Sequence, residues 1–348
     1  MSELNSVAPL SEAIRLLAQG QSLAADQVDR AVSVILSGAG TEAGIAAFLT
    51  ALHMKGETAE ELAGAVNAVH RRAERHGISL APPGAIDTCG TGGDGAQSLN
   101  ISTAAALVVA ACGVPVVKHG NRSASGNSGS SEVLTELGVA IEAAPDALER
   151  GLRELGIAFL FAPRFHPGLR HAGPVRRQLP FRTIFNLVGP LANPLDPTCQ
   201  LVGVPGDRQA LLIAETLARL GRRALVVTGM GGLDEVSLAG PTRVLRIEAG
   251  TIRTLVWNPE DFGLPTVDNS ALRVSGPAES AQRIRDLLSG HPGPDRDTVL
   301  VNSAAALWLA RGASEDSLDS ALRDASETVD SGAARSLLLR WAELSHGR

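Results

Sequence analysis

Tyrosine is absent from the 348 residues, and aromatic residues together make up 3% of the chain. Binders of single-stranded nucleic acid stack bases on exposed rings, so this scarcity leaves little material for such a platform. A basic excess is missing too, because 31 Lys and Arg face 37 Asp and Glu, for a net charge of -6. Phosphate-backbone binders carry the opposite balance, so no nucleic-acid partner is expected and any anionic ligand must be held locally. Cysteine is limited to Cys89, Cys112 and Cys199, widely spaced and without a C-x-x-C pair. That pattern argues against a disulfide framework and a zinc site, and it suits a reducing compartment. The opening Met1-Ser2-Glu3-Leu4-Asn5-Ser6 lacks a basic stretch followed by an apolar one, so no signal peptide is expected. The longest apolar run, residues 104–117, is too short to span a bilayer and is broken by Gly113 and Pro115. No membrane partner is expected, and the location is read as cytoplasmic.

What is present is ordinary for a globular protein: 44% hydrophobic and 20% charged residues. The length favours two domains. Residues up to the mid-seventies read as helices, since Ile45, Phe48, Leu49 and Leu52 recur at i, i+3, i+4 and i+7, as do Leu62, Ala65, Val66 and Val69. Thr58 with Glu61 forms a capping box at a helix start. After Pro82-Pro83-Gly84 the texture changes to short apolar runs alternating with helical patterns. Strands are expected at 85–89, 114–118, 158–161, 201–204 and 224–228, with helices at 103–112 and 132–137. That alternation implies crossover units and a mainly parallel sheet. Residues 242–247 and 251–257, separated by a glycine-containing turn, read as an antiparallel hairpin added to it. Leu337, Trp341 and Leu344 mark a closing amphipathic helix. No internal repeat or low-complexity segment is visible.

Three loops carry chemistry. The first strand runs into Gly90-Thr91-Gly92-Gly93-Asp94-Gly95, and Asn100-Ile101-Ser102-Thr103 then opens a helix. Glycines let backbone N–H groups approach an anion, and a helix N-terminus adds partial positive charge, which together make a phosphate cradle. Taken alone, the same residues also fit a tight turn before a capped helix. The pattern is neither a P-loop nor a dinucleotide fingerprint. After the next strand come Lys118-His119-Gly120-Asn121-Arg122-Ser123-Ala124-Ser125-Gly126-Asn127-Ser128-Gly129-Ser130, where charge, donors and glycine freedom are combined. A solvated loop is the bland alternative. Both loops leave the C-terminal ends of strands, where open parallel sheets place ligands. The third element, Gly231-Gly232-Leu233-Asp234-Glu235, offers two hard carboxylates suited to magnesium, although adjacent acids without context are usually surface charge.

The linked set resembles the anthranilate phosphoribosyltransferase family in order and spacing. It comprises the glycine loop, 100–103, 118–122, Arg164-Phe165-His166-Pro167 with Pro174-Val175-Arg176-Arg177, Arg182-Thr183-Ile184-Phe185-Asn186 with Gly189-Pro190-Leu191, and Asp234-Glu235. The likeness begins in the helical part, at Lys55-Gly56-Glu57-Thr58. The resemblance implies an α/β protein of the nucleoside phosphorylase/phosphoribosyltransferase-like type, with a small N-terminal helical domain and a larger domain built on a mainly parallel sheet. The helical domain would span 1–76 and include a segment near 175–190, leaving 77–174 and 191–348 to the α/β domain. It implies a homodimer through the helical domain, and pentosyl transfer from phosphoribosyl pyrophosphate to the amine of anthranilate in tryptophan biosynthesis. Carried over by position, Gly90, Gly93, Asp94, Ser98, Asn100, Ile101, Ser102, Thr103, Lys118, His119, Gly120, Asn121, Arg122, Ser123, Ala124, Ser125, Gly126 and Ser130 would hold the pyrophosphate donor. Gly90, Asn121 and Arg176 would contact anthranilate, and Ser102, Asp234 and Glu235 would bind Mg2+. Ser98 and Leu99 stand where Thr and Phe are commoner, and Gly168-Leu169 where Ala-Met is frequent, which bears on the detail of the substrate tunnel.

No residue is assigned as general base, because an arylamine is uncharged at neutral pH. His119 and His166 are read as shaping loops and donating hydrogen bonds, in preference to accepting a proton. Metal ligation by His166 with His171 lacks a third ligand at suitable spacing. Cys89 and Cys112 are expected to pack as small apolar residues. A pyrimidine nucleoside phosphorylase is the nearest rival, but its Lys-x-Ser-Gly-Arg stretch differs from residues 118–122 here. A nucleic-acid-binding relative would need a basic groove that this acidic chain lacks.

Overall fold

Four helices open the chain in the computed structural model, which describes residues 2–93, 95–122, 129–314 and 318–347. They are α1 (Ser2–Ala18), α2 (Ala25–Leu36), α3 (Glu42–Lys55) and α4 (Ala59–Arg71). Each hides an apolar stripe: Val28, Ala31, Val32 and Ile35 of α2 and Leu62, Ala65, Val66 and Val69 of α4 are essentially inaccessible. The expected capping box forms, with Thr58 Oγ1 accepting from Glu61 N–H at 3.2 Å and Glu61 Oε2 accepting from Thr58 N–H at 2.9 Å. Glu61 does more than cap. Fully buried, it also accepts from Leu23 N–H at 2.9 Å and from Lys55 Nζ at 2.8 Å, so one carboxylate ties the entry to α2 and the end of α3 to α4. A buried charge persists only when it is paired in this way.

Among the described residues seven strands form one sheet: β1 (Ile86–Gly90), β2 (Val116–Gly120), β3 (Ile157–Phe161), β4 (Cys199–Gly203), β5 (Arg223–Thr228), β6 (Thr242–Glu248) and β7 (Thr251–Trp257). Their spatial order is β3-β2-β1-β4-β5-β6-β7. β1 to β5 run parallel, and β6 and β7 add an antiparallel hairpin at one edge. The connections step one way from β1 through β3 and the other way from β4, so the switch point falls between β1 and β4. Ligand clefts of open α/β sheets lie there, outside the carboxyl ends of the strands.

Two apolar clusters flank the sheet. One gathers α5 (Ile101–Ala111), the C-terminal helices and one sheet face. The other joins α1 to α4, the stretch from Ala172 to Ala192, the helix Asp207–Arg219 and the opposite face at Cys89, Val202, Val204, Ala224 and Val226. The alternation of side chains along β1 explains the split, since neighbouring residues of a strand face opposite ways. The helical unit therefore shares its core with the sheet. Among the described residues no helix is long and apolar enough to cross a membrane.

Candidate active site

β1 ends at Gly90 with its carboxyl end at the switch point, and the chain then turns through Gly92 and Gly93 at φ of 61° and 81°. L side chains rarely adopt that region, which is why glycine recurs here. Close approach is a second reason. A Cβ on Gly90 would lie 2.7 Å from Asp234 Oδ2, and one on Gly203, at the end of β4, would overlap the Asp234 carbonyl. The bare ends of β1 and β4 thus let the loop after β5 settle over the switch point. Gly92 N–H donates to Asp234 Oδ2 at 3.0 Å.

α5 starts in the same place. Asn100 caps it by accepting from Thr103 N–H at 3.3 Å, and Ser102 N–H donates to Glu235 Oε1 at 3.1 Å. One of its orphan amides and the positive end of its macrodipole are therefore turned toward Glu235. Lys118 reaches in from β2. With 2% of its surface exposed, its Nζ donates to the Ser102 hydroxyl at 3.1 Å and to the Thr88 carbonyl. Burial pulls the Lys118 ammonium below its ordinary range, and the negative charges of Asp87 and Glu235 act against that.

The other sheet face carries a buried polar knot. Asp87 is fully buried, accepting from His119 N–H at 3.2 Å and from Asn193 Nδ2 at 2.9 Å, while Asn193 Nδ2 also donates to Val117 O at 2.7 Å. Burial raises the Asp87 carboxyl to about 6, with the Lys118 charge and the Asn193 hydrogen bond opposing it. The His119 ring meets His166 edge-on at 5.2 Å, and His166 Nε2 lies 2.9 Å from the Ala192 carbonyl. Burial depresses His119 to about 3 and His166 to about 4, so both imidazoles are neutral at pH 7. Among the described residues no group of three or more His, Cys, Asp and Glu is placed to hold a metal ion.

Gly90, Gly92, Gly93, Ser102, Lys118, Asp234 and Glu235 are thus brought to one crevice from four loops or elements. Asn100, Ile101 and Thr103 form the first turn of α5, and Ser98 makes an isolated antiparallel bridge with Arg273. Gly120 closes β2 against Ser130, whose hydroxyl is 3.5 Å from the Asn121 carbonyl, and Arg122 stands 5.8 Å from the Phe161 ring. Asp94, Ser123, Ala124, Ser125 and Gly126 lie outside the described residues. Arg176 stands apart, on the helix Gly173–Gln178. Its guanidinium lies 5.8 Å over the Phe185 ring, partly desolvated, with no hydrogen bond or ion pair among the described residues.

Sequence patterns gave Asp87, Asn193 and Arg182 no role. Asp87 did leave a signal, a charge inside an otherwise uncharged strand, whereas Asn193 and Arg182 act through partners about a hundred positions away. A surface hollow between α2 and α4, lined by Asp29, Asn67, His70, Arg71 and Arg75, contains none of the predicted residues, and its Arg71 is tied to Asp29.

Comparison with known proteins matches residues 82–335 to the model of the glycosyl transferase family a/b domain and residues 11–73 to that of the family's helical bundle domain. The chain is similar to the anthranilate phosphoribosyltransferase of Moorella thermoacetica, 46% identical over 338 residues that cover 96% of this chain and 98% of the relative. It is similar to that of Rhodospirillum rubrum at 47% over 328 residues, 94% of this chain and 93% of the relative. The crystal structure of the Thermus thermophilus enzyme superposes with a TM-score of 0.89 at 38% identity, covering 96% of this chain and 99% of that one. The Saccharomyces cerevisiae enzyme in complex with PRPP and Mg superposes with a TM-score of 0.87 at 29% identity, over 97% of this chain and 98% of that one.

Proposed function

The chain belongs to the anthranilate phosphoribosyltransferase family, and on that footing we propose how its own residues carry the transfer. The reaction moves the 5-phosphoribosyl group from phosphoribosyl pyrophosphate to the amine of anthranilate, a step of tryptophan biosynthesis, and releases pyrophosphate. The bond from the anomeric carbon to the diphosphate oxygen breaks as the carbon–nitrogen bond forms. Positive charge builds on the sugar and negative charge on the leaving group. The protein's work is to stabilise that leaving group and aim the nucleophile.

One observation carries this reading: the amides of Gly92 and Ser102, the buried ammonium of Lys118 and the carboxylates of Asp234 and Glu235 converge on the switch point. Lys118, the start of α5 and the glycine loop would grip the diphosphate, with Ser130, Asn121 and Arg122 along the ribose phosphate. Asp234, Glu235 and the Ser102 hydroxyl would hold magnesium. Two protein carboxylates and a hydroxyl, with no larger cluster among the described residues, fit an ion that completes its shell with water and substrate phosphates. When bound, magnesium supplies charge neutralisation on the diphosphate. Arg176 would take the anthranilate carboxylate in its planar fork, a role supported by its half-buried guanidinium free of carboxylate partners among the described residues. The amine proton passes to solvent or to the departing diphosphate, since burial leaves His119 and His166 too weakly basic to take it.

We further assign 1–76 with the segment near 175–190 to a helical domain, and 77–174 with 191–348 to an α/β domain, with the cleft between them. A homodimer through the helical domain is part of the same proposal. A cytoplasmic location is supported by the three cysteines, all free, with Cys89 and Cys199 buried.

The decisive experiment follows the loss of anthranilate fluorescence when the protein, phosphoribosyl pyrophosphate and magnesium are mixed. Turnover that requires all of them is the expected result. Inertness toward anthranilate combined with phosphorolysis of thymidine would overturn the assignment in favour of a nucleoside phosphorylase.

A further inference from the structure

Arg182 belongs to the stretch between the helices Gly173–Gln178 and Ile184–Val188, which packs with the helical unit, yet its guanidinium reaches the glycine loop of the sheet. Nη1 donates to the Gly92 carbonyl and Nη2 to the Thr91 carbonyl, each at 2.7 Å. Both neighbours of Arg182 are anchored. Phe181 stacks on His53 of α3 with ring centroids 4.2 Å apart, and Thr183 N–H donates to Asn186 Oδ1 at 2.9 Å, capping the helix that follows. The guanidinium makes no ion pair among the described residues, and its Nε is buried without a partner there. A Cβ on Gly93 would overlap Nη1, so the loop has been shaped around this side chain. Across the loop, Gly92 N–H is fixed by Asp234.

The loop is therefore held from opposite sides, its carbonyls by a cation and one amide by a carboxylate. Two adjacent carbonyls tied to one rigid fork set the orientation of their peptide planes before any phosphate arrives. Preorganised backbone dipoles of this kind spare the reorganisation that a mobile loop would need on binding. We propose that Arg182 is a positioning residue that clamps the glycine loop from the helical side, so that the stretch bearing Arg176 also sets the shape of the diphosphate cradle. This rests on the phosphoribosyl transfer reading above and assigns the cradle a support outside the α/β elements that build it.

Steady-state kinetics with both substrates varied, on Arg182→Ala, Arg182→Lys, Gly93→Ala and the Gly93→Ala/Arg182→Ala double variant, test the clamp. Arg182→Ala should raise KM for phosphoribosyl pyrophosphate about 30-fold, the scale expected for losing two charge-assisted hydrogen bonds. KM for anthranilate should move less than about threefold. Lysine lacks the fork and should restore only part, leaving a rise of roughly 10-fold. Gly93→Ala should be severe in the wild-type background, since strain at positive φ adds to overlap with Nη1. Once Arg182 has been removed only the strain remains, so the further rise should be at least about tenfold smaller. Thermal melting establishes that each variant is folded. If Arg182→Ala does not fold, the cycle is run on Arg182→Lys. A KM for phosphoribosyl pyrophosphate within threefold of wild type in a folded Arg182 variant, or fully multiplicative effects in the cycle, would overturn the clamp. Wild-type turnover in the same assay separates this from the broader reading: an inactive wild type sinks the transfer assignment, an active one with indifferent Arg182 variants sinks the clamp alone.

Discussion

The donor side of the cleft is tied together before any ligand arrives, and the acceptor side is open. Around the glycine loop several polar groups of the described residues have protein partners: Gly92 with Asp234, Ser102 with Glu235 and Lys118, Thr91 and Gly92 with Arg182. The Arg176 guanidinium has an aromatic face beside it and, among the described residues, no hydrogen bond. On the proposed reading, the difference follows from what each side would hold. A diphosphate and its metal carry several charges, so the groups that meet them must themselves be oriented and restrained in advance. A single carboxylate on a flat ring needs one planar fork and an apolar floor. Electrostatic load, more than size, decides which half is prebuilt.

The contrast can be broken first at the acid pair. Asp234→Asn combined with Glu235→Gln should abolish the response of turnover to magnesium and lower kcat/KM by roughly 10³-fold, the scale of losing preorganised charge stabilisation at a leaving group. An intact magnesium titration in the double variant would show that the acids serve only to hold the loop. Arg176→Ala comes next in size. KM for anthranilate should rise about 30- to 100-fold, as for a lost charge-assisted pair, while that for phosphoribosyl pyrophosphate stays within about threefold. Equal losses for both substrates would mean that the two sides are less separate than their bonding suggests.

The smallest effect concerns the histidines beneath the cleft. His119 and His166 titrate at about 3 and about 4 in the fold against an ordinary value of 6.5, so their contribution to stability is complete above 6.5 and is lost as pH falls through those values. Asp87, raised to about 6 from 3.8, works the other way, its contribution being complete below 3.8 and lost as pH rises through about 6. Two groups outweigh one, so between pH 6 and 4 the three together make stability fall as the pH is lowered, which denaturant unfolding across that window reads as a slope. His166→Gln should flatten that slope and leave turnover at pH 7 nearly unchanged. A kcat profile inflected near neutrality that disappears in this variant would restore the histidine as a proton acceptor.

The glycine loop was legible because its signals are local. A glycine run after an apolar strand, followed by Asn100 and a helical pattern, needs no distant partner to be recognised, and the same holds for the capping box at Thr58 and Glu61. The strands were found to within one or two residues because buried parallel strands are short apolar runs. Arg182 was visible only as part of a motif, without a task, because its partners are 90 and 91 positions away. Asp87 looked like a strand residue of the wrong polarity until Asn193 and the His119 amide were seen against it, 106 and 32 positions off. The shared core between helical unit and sheet was hidden for the same reason, since periodicity reports which residues are buried and never against what.

Sequence alone determined which residues carry charge, which turns only glycine can make, and where helices and parallel strands alternate, because those depend on side-chain chemistry and on neighbours within a few positions. Tertiary structure decided that Asp234 rests on the bare ends of β1 and β4, that Lys118 is sealed against Ser102, and that Arg182 crosses from the helical unit to pin the glycine loop. Such contacts are set by the order of strands in the sheet and by the packing of its two faces, and neither is a property of any short stretch of chain.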